Sequence, residues 1–141
     1  MSERVFDVEQ ADALIPRLEF LVERLQSCAR QLRDGVSAVA AEREVTVASL
    51  SMPEVLRLRP GLHALVEEIT RVVQEIEELG GVLKDLELGL VDFPADIAGE
   101  RAFLCWQYGE KAVAYWHRLD DGFSGRRPLR RRARTPSRYL Q

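Results

Sequence analysis

The spacing of apolar residues changes near Gly81, and this change is the strongest constraint on the fold. Before Gly81, apolar residues recur at intervals of three and four, which is the period of one face of an α-helix. After Gly81 they alternate with polar residues, as in a β-strand with one buried face. The sequence therefore predicts an α+β protein in which helices precede a small antiparallel sheet.

Two apolar ladders predict a long antiparallel helical hairpin over residues 7–80. Asp7 and Gln10 form a capping-box pair that begins the first helix, and Gly35 is expected to end it. Pro16 lies inside the first ladder and predicts a kink or a break in the first two turns. The ladders consist of Ala11, Leu14, Leu18, Leu21, Leu25, Cys28 and Leu32, then Leu62, Leu65, Ile69, Val72, Ile76 and Leu79.

The segment between the ladders, residues 36–60, is compatible with an extension of the first helix or with a loose helical turn. Ser51 and Glu54 form a second capping-box pair. This pair predicts a short helix that ends before Pro60.

Turn residues divide the next part of the chain into four predicted strands, which form an antiparallel sheet over residues 82–118. Gly109-Glu110 is interpreted as a tight hairpin turn between the last two strands. One face of the sheet would pack on the helices, which leaves the other face for a ligand or a partner copy. The predicted strands are Val82–Asp85, Leu90–Phe93, Ala102–Tyr108 and Ala112–His117.

The length of 141 residues predicts one domain, which we place at residues 1–125. These residues carry a formal net charge of −10, whereas residues 126–141 carry +7. The basic segment contains little to bury and is predicted to be a mobile tail. It could contact nucleic acid or fold back on the acidic helices, and we favour the second because Tyr139 is its one aromatic residue.

Composition also indicates the setting of the protein. No uncharged apolar run is long enough to cross a membrane, and the charged first thirty residues leave no apolar core for a signal peptide. We therefore expect a cytoplasmic protein with reduced cysteines, since Cys28 and Cys105 form no CxxC pair. The excess of Arg over Lys is typical of a GC-rich bacterial genome.

Five short motifs occur in order between Gly89 and Arg126, namely GLVDFPA, LCW, GE, WH and GF-x-GR. Together with FDVEQADALIPRL at residues 6–18, they resemble the uncharacterised bacterial family DUF2203. The resemblance covers the first helix and most of the C-terminal third of the chain. It implies family membership but no activity, and the Arg-rich segment after Pro128 is not part of the pattern.

Four residues of the sheet region carry side chains that bind zinc or iron in proteins, and they are Asp92, Cys105, Glu110 and His117. A two-residue turn at Gly109-Glu110 would place Cys105 and His117 on opposite faces of the sheet. A three-residue loop would place both on one face. Since no HxxxH, HExxH or paired-Cys spacing is present, the sequence favours a structural Cys105 and a hydrogen-bonded His117 over a metal site.

A candidate ligand or partner surface lies in the same region, because Trp side chains anchor interfaces. Lys84-Asp85 and Asp92 could form an acid/base pair in a cleft or a buried ion pair across the first hairpin, since charges in strand interiors are often structural. The Arg126 guanidinium could bind a carboxylate or phosphate, although we favour a salt bridge to the acidic helix face. The surface consists of Lys84, Asp85, Asp92, Trp106, Trp116 and Arg126.

The function that the sequence favours is a non-enzymatic, homo-oligomeric interaction or ligand-binding module that uses residues 85–126. The first alternative is a metal-dependent or thiol-dependent enzyme with its site at Cys105, His117, Glu110 and Asp92. The second is association with nucleic acid through the Arg-rich tail. The sequence identifies neither a cofactor nor a catalytic residue.

Overall fold

A computed structural model describes residues 4–132 and 135–140, with side-chain surroundings for residues 4–129. It is an α+β structure, as predicted. The four helices are α1 (Val8–Ala13), α2 (Ile15–Arg43), α3 (Met52–Leu58) and α4 (His63–Glu78), with short 3₁₀ turns at Val47–Ser49, Pro60–Leu62 and Phe123–Gly125. The strands are β1 (Val82–Asp85), β2 (Leu90–Ile97), β3 (Glu100–Gln107), β4 (Tyr115–Arg118), β5 (Arg127–Pro128), β6 (Arg130–Arg132) and β7 (Thr135–Leu140).

The first helix begins with the predicted capping box. The Gln10 backbone N–H donates to Asp7 Oδ1 at 2.7 Å, and the Asp7 N–H donates to Gln10 Oε1 at 2.9 Å. The helix breaks at Leu14, and Pro16 occupies the first turn of α2, where its missing N–H costs nothing. The break predicted from Pro16 is therefore present.

The prediction that Gly35 ends this helix is wrong. The helix α2 continues to Arg43 and ends at Glu44, which adopts a left-handed φ of 58°. A Cβ atom at Gly35 would lie 2.6 Å from Leu62 Cδ2. This glycine therefore allows a close approach of the chain before α4 and does not cap a helix.

The helices α2 and α4 run antiparallel, because residues later in α2 pair with residues earlier in α4. Arg17 pairs with Glu75, and Arg24 pairs with Glu68. The connection between these helices is long, since residues 44–62 contain α3 and two 3₁₀ turns. The result is an antiparallel helix pair with a structured connection, and α3 begins at the predicted Ser51 cap.

The main sheet has five antiparallel strands in the order β1-β2-β3-β4-β5, so the predicted count of four is wrong. The additional strand, β5, pairs Arg127 with Trp116 and Pro128 with Tyr115. It contains two residues, one of them a proline, so it shows no alternating pattern in the sequence. The strand is at the sheet edge, where proline is tolerated.

The predicted tight turn at Gly109-Glu110 is also wrong, because residues 108–114 connect β3 to β4. The Glu110 carboxylate accepts the Gln107 N–H at 2.7 Å, which closes a turn within this connection. The Val113 N–H donates to Asp12 Oδ1 at 2.7 Å, so this residue is bound to α1 and not to β3. These hydrogen bonds keep residues 111–114 outside the sheet.

The two faces of the sheet differ in character. The inner face packs on the helices and contributes Val91, Phe93, Ala95, Ala102, Leu104 and Trp106 to a core with Leu18, Leu21, Leu25, Val72 and Ile76. The outer face carries the alternate residues of the same strands, among them two buried polar residues, Asp92 and His117. The fold thus buries a polar group on the side of the sheet that the helices do not cover.

The beginning of the predicted tail belongs to the fold. Arg126 pairs with Glu110, and Leu129 is buried in the core. The strands β6 and β7 pair with each other in a separate two-stranded sheet. The side chains beyond Leu129 lie outside the described residues, so nucleic-acid binding by this Arg-rich segment stays a prediction. Among the described helices, none has the length and apolar character needed to span a membrane.

Candidate metal centre

Three of the predicted site residues meet on the outer face of the central strands. Asp92 on β2 lies directly opposite Cys105 on β3, and Cys105 lies opposite Tyr115 on β4. His117 follows Tyr115 by two residues and therefore projects from the same face. The register thus corresponds to the predicted alternative in which Cys105 and His117 share a face.

All three side chains are buried, with exposed fractions of 2% for Asp92, 1% for Cys105 and 3% for His117. One ligand atom from each residue can be chosen so that all of them lie within 4.8 Å of one another. Ligand atoms around a tetrahedral zinc ion are roughly 3.3–3.6 Å apart, given its usual bond lengths. A contraction of up to about 1 Å at the widest pair, with a small opening of the 2.8 Å contact between His117 Nε2 and Asp92 Oδ2, would match this spacing.

The protonation of His117 follows from its two hydrogen-bond partners. Its Nδ1 lies 2.8 Å from the carbonyl oxygen of Arg118, which can only accept, so Nδ1 carries a proton. Its Nε2 lies 2.8 Å from Asp92 Oδ2. With the proton held on Nδ1, Nε2 is the nitrogen that a metal could bind, and a metal shared with Asp92 would replace the contact between Nε2 and Oδ2.

Asp92 has an unsatisfied oxygen. Its Oδ2 is near His117, but its Oδ1 is buried and has no hydrogen-bond partner among the described residues. A buried polar atom without a partner costs roughly 1–3 kcal/mol. A bound cation would satisfy this oxygen, and the donor set of carboxylate, thiol and imidazole fits zinc or iron.

The Cys105 thiol is not activated by its surroundings. Burial raises the pKa of Cys105 to about 12, and the negative charge of Asp92 acts in the same direction. His117 Nε2 is directed at Asp92 and so is not free to act as a base for the thiol. The arrangement is thus the opposite of a nucleophilic Cys–His pair, whereas a metal cation would itself deprotonate the thiol.

A cleft of about 290 Å³ opens over the cluster. Lys84, Asp85 and Leu88 line one side, and Leu119, Asp121 and Phe123 line the other. Phe103 forms part of the floor beside His117, with a distance of 5.5 Å between the two ring centroids. The three candidate ligands are thus reached from a cleft, although each is almost fully buried.

Glu110, the fourth predicted ligand, has a different role. Its carboxylate accepts two hydrogen bonds from Arg126 Nη2, at 2.7 and 3.0 Å. The same nitrogen donates to the Cys105 carbonyl oxygen at 3.3 Å, and the guanidinium lies 4.0 Å from the Tyr115 ring centroid. Arg126 therefore pairs with the β3–β4 connection and not with the acidic helix face. We call this Arg126–Glu110 pair the clasp, because it joins the β3–β4 connection to the segment that forms one wall of the cleft.

The predicted ligand surface is divided between the two faces of the sheet. Lys84, Asp85 and Asp92 line the cleft. Trp106 is fully buried on the inner face, where its indole N–H donates to the Glu110 carbonyl at 3.0 Å. Trp116 packs against the same core. The two tryptophans therefore form no common surface with the charged residues.

The comparison with known families now bears on this geometry. Residues 4–129 match the model of the family described as "Uncharacterized conserved protein (DUF2203)". The chain belongs to the DUF2203 family. The matched region includes all three cluster residues and the clasp, and the family description assigns no activity to them. No curated protein and no solved structure matches the chain.

In this DUF2203 member, sequence reasoning missed the wall of the cleft that residues 119–123 form. Asp121-Gly122 has the composition of a simple turn, yet both residues line the cleft. The signal in the sequence was two apolar residues, Leu119 and Phe123, on either side of this polar turn, and the structure exposes both. Such residues often mark a binding surface.

Proposed function

We propose that this protein binds a single transition-metal ion through Asp92, Cys105 and His117. The observation that supports the proposal is a buried cluster of three potential ligand atoms within 4.8 Å, which includes a carboxylate with one unpartnered oxygen. Structural zinc sites usually have four protein ligands, whereas catalytic sites have three and keep one position open. The cleft next to the cluster offers that open position.

The donor set favours Zn²⁺ or Fe²⁺. A cysteine thiolate is a soft ligand that Mg²⁺ and Ca²⁺ do not select, and imidazole suits zinc and iron. Zn²⁺ is the simpler assignment, because a mixed set of sulfur, nitrogen and oxygen is within its ordinary range. Such an ion, when bound, would activate water or polarise a carbonyl group in the cleft.

We therefore propose a metal-dependent enzyme of the hydrolytic type in place of the non-enzymatic module that the sequence favours. The raised pKa of Cys105 argues against the thiol-dependent alternative, because a nucleophilic thiolate needs a lowered pKa. A binding function for the sheet region is consistent with the same cleft, since a ligand would enter it in either case.

The test is elemental analysis of untagged protein purified without chelators, followed by zinc titration of the metal-free form. We expect about one zinc or iron per chain. Cys105→Ser and His117→Ala should each weaken zinc binding by roughly 100-fold or more, since even residues beyond the ligands contribute 10–100-fold.

The chain offers a matched control for each variant. Cys28 is a second buried cysteine, on α2, and His63 is an exposed histidine at the start of α4. Cys28→Ser and His63→Ala should bind zinc as the wild type does. If the metal content is negligible, or if the Cys28 and Cys105 variants bind zinc equally well, the proposed metal centre does not exist.

A further inference from the structure

We infer that the cleft binds a small organic monocarboxylate, with Lys84 as the anchor for its negative charge. This inference rests on the proposed metal centre, which forms the floor of the cleft. It goes further by assigning a class of ligand and a residue that recognises it.

Lys84 is suited to bind an anion. Among the described residues that line the cleft, it is the one lysine or arginine. Its Nζ lies 5.2 Å from the centroid of the Phe103 ring, and that ring packs beside His117. The ammonium group is therefore held over the floor of the cleft near the candidate metal ligands.

The acidic residues of the cleft limit the charge of the ligand. Asp85 and Asp121 also line the opening, and one oxygen of Asp85 accepts the Leu88 N–H at 2.9 Å. A Zn²⁺ ion would be neutralised by Asp92 and by the Cys105 thiolate, so Lys84 would be the remaining positive charge. The lining then carries one positive and two negative charges, so it disfavours a phosphate dianion or a nucleotide, and Lys84 can pair with one negative charge at most.

The rim of the cleft is apolar. Leu88, Leu119 and Phe123 all line the opening and are exposed by 44%, 54% and 42%. Exposed apolar side chains around a polar floor fit a ligand that has an apolar body and a polar end. The volume of about 290 Å³ is at the lower end for small-molecule sites, so the ligand must be small.

The test measures binding of 3-phenylpropionate to the zinc-loaded protein by calorimetry, with metal content determined on the same sample. The comparison probes are 3-phenylpropanol, which is neutral, and phenyl phosphate, which is a dianion near pH 7. We expect 3-phenylpropionate to bind roughly tenfold more tightly than either probe. The alcohol loses a hydrogen bond between charged groups, and the phosphate adds repulsion from the acidic residues.

Lysine variants test the anchor directly. Lys84→Met keeps the length of the side chain and removes the charge, so it should weaken binding of 3-phenylpropionate roughly tenfold. The second lysine of the chain, Lys111, is exposed and does not line the cleft, and Lys111→Met should bind as the wild type does.

The outcomes separate this inference from the proposed function. Protein that takes up no metal refutes the metal centre, which the elemental analysis reports independently of ligand binding. Zinc-loaded protein that binds the alcohol as well as the acid, or that binds the acid equally with Lys84→Met, overturns the monocarboxylate assignment and leaves the metal centre intact.

Discussion

At the scale of single residues, one backbone carbonyl determines what His117 can do. The Arg118 oxygen holds a proton on Nδ1, so the imidazole presents Nε2 to Asp92. A histidine with its ring reversed would offer the metal a protonated nitrogen, which cannot bind it. The tautomer of His117 is therefore set by a main-chain oxygen of its own strand.

Two glycines with the same backbone conformation test how strain and steric contact contribute to stability. Gly80 and Gly109 have φ values of 103° and 100°, but of the two only Gly80 faces a side chain, since a Cβ there would overlap Phe6 Cζ. Gly109→Ala should lower the free energy of unfolding by about 1–2 kcal/mol through strain.

Gly80→Ala should lower the free energy of unfolding by about 1–3 kcal/mol more than Gly109→Ala does, because Phe6 belongs to the core and has to move. Chemical denaturation of both variants measures the difference. Equal losses would contradict the predicted contact between Gly80 and Phe6.

At the scale of elements, one ion pair fixes a wall of the cleft and another joins the two long helices. The Arg126–Glu110 clasp joins the segment after β4 to the β3–β4 connection. The pair between Arg24 and Glu68 joins α2 to α4. The clasp is the better shielded of the two, with side-chain exposures of 12% for Arg126 and 24% for Glu110.

A double-mutant cycle measures the strength of the clasp. We expect a coupling energy of about 1–3 kcal/mol between Arg126→Gln and Glu110→Gln, because the contact is charge-assisted and partly buried. Denaturation of the two single variants and of the double variant supplies the four free energies. Additive effects of the two substitutions would show that the pair does not act as a clasp.

Acid should weaken the contact between the helices. Hydrogen bonds from Arg71 and Arg24 lower the pKa of Glu68 to about 2, from an ordinary value of 4.5. A lowered pKa in the folded state stabilises the protein above pH 4.5, and this stabilisation is lost as the pH falls towards 2. The contribution is small because the network is exposed to solvent.

Thermal unfolding of Glu68→Gln between pH 2 and 6 tests this expectation. The melting temperature of the variant should be lower than that of the wild type above pH 4.5, and the two melting temperatures should converge near pH 2. Glu67→Gln is the control, since Glu67 is exposed and lies 3.5 Å from His63 on its own helix. A constant difference between Glu68→Gln and wild type across the range would contradict the lowered pKa of Glu68.

At the scale of the whole molecule, the helices cover one face of the sheet, and the other face carries the cleft. The end of the helix pair that bears the long connection also exposes apolar side chains, at Val45, Val47, Met52 and Leu58. The predicted homo-oligomer would bury such a patch. None of these four side chains lines the cleft, so assembly there need not close the candidate site.

Light scattering of the native protein tests the predicted homo-oligomer. We expect a mass of at least two chains, and Val47→Glu combined with Met52→Glu should reduce it to that of a monomer. Phe20→Glu is the control, because Phe20 is exposed on α2 outside this patch. A wild-type protein that is monomeric at all accessible concentrations would refute the prediction.

The sequence by itself determined the α+β class, the Asp7–Gln10 capping box, the Ser51 N-cap and the residues that could bind a metal. These properties depend on local spacing and on side-chain chemistry, which a single chain displays directly. It failed at Gly35 because a glycine that permits a close contact resembles one that ends a helix. It also failed at β5, whose two residues show no period.

Only the tertiary structure decided which candidate residues meet. The β3–β4 connection has no repeating pattern, and its length is set by hydrogen bonds to Glu110 and to the distant Asp12. A change of one residue in that register would have moved every following side chain to the other face. Long-range contacts of this kind placed Cys105 beside Asp92 and His117. They also paired Glu110 with Arg126 in the clasp, away from the three candidate ligands.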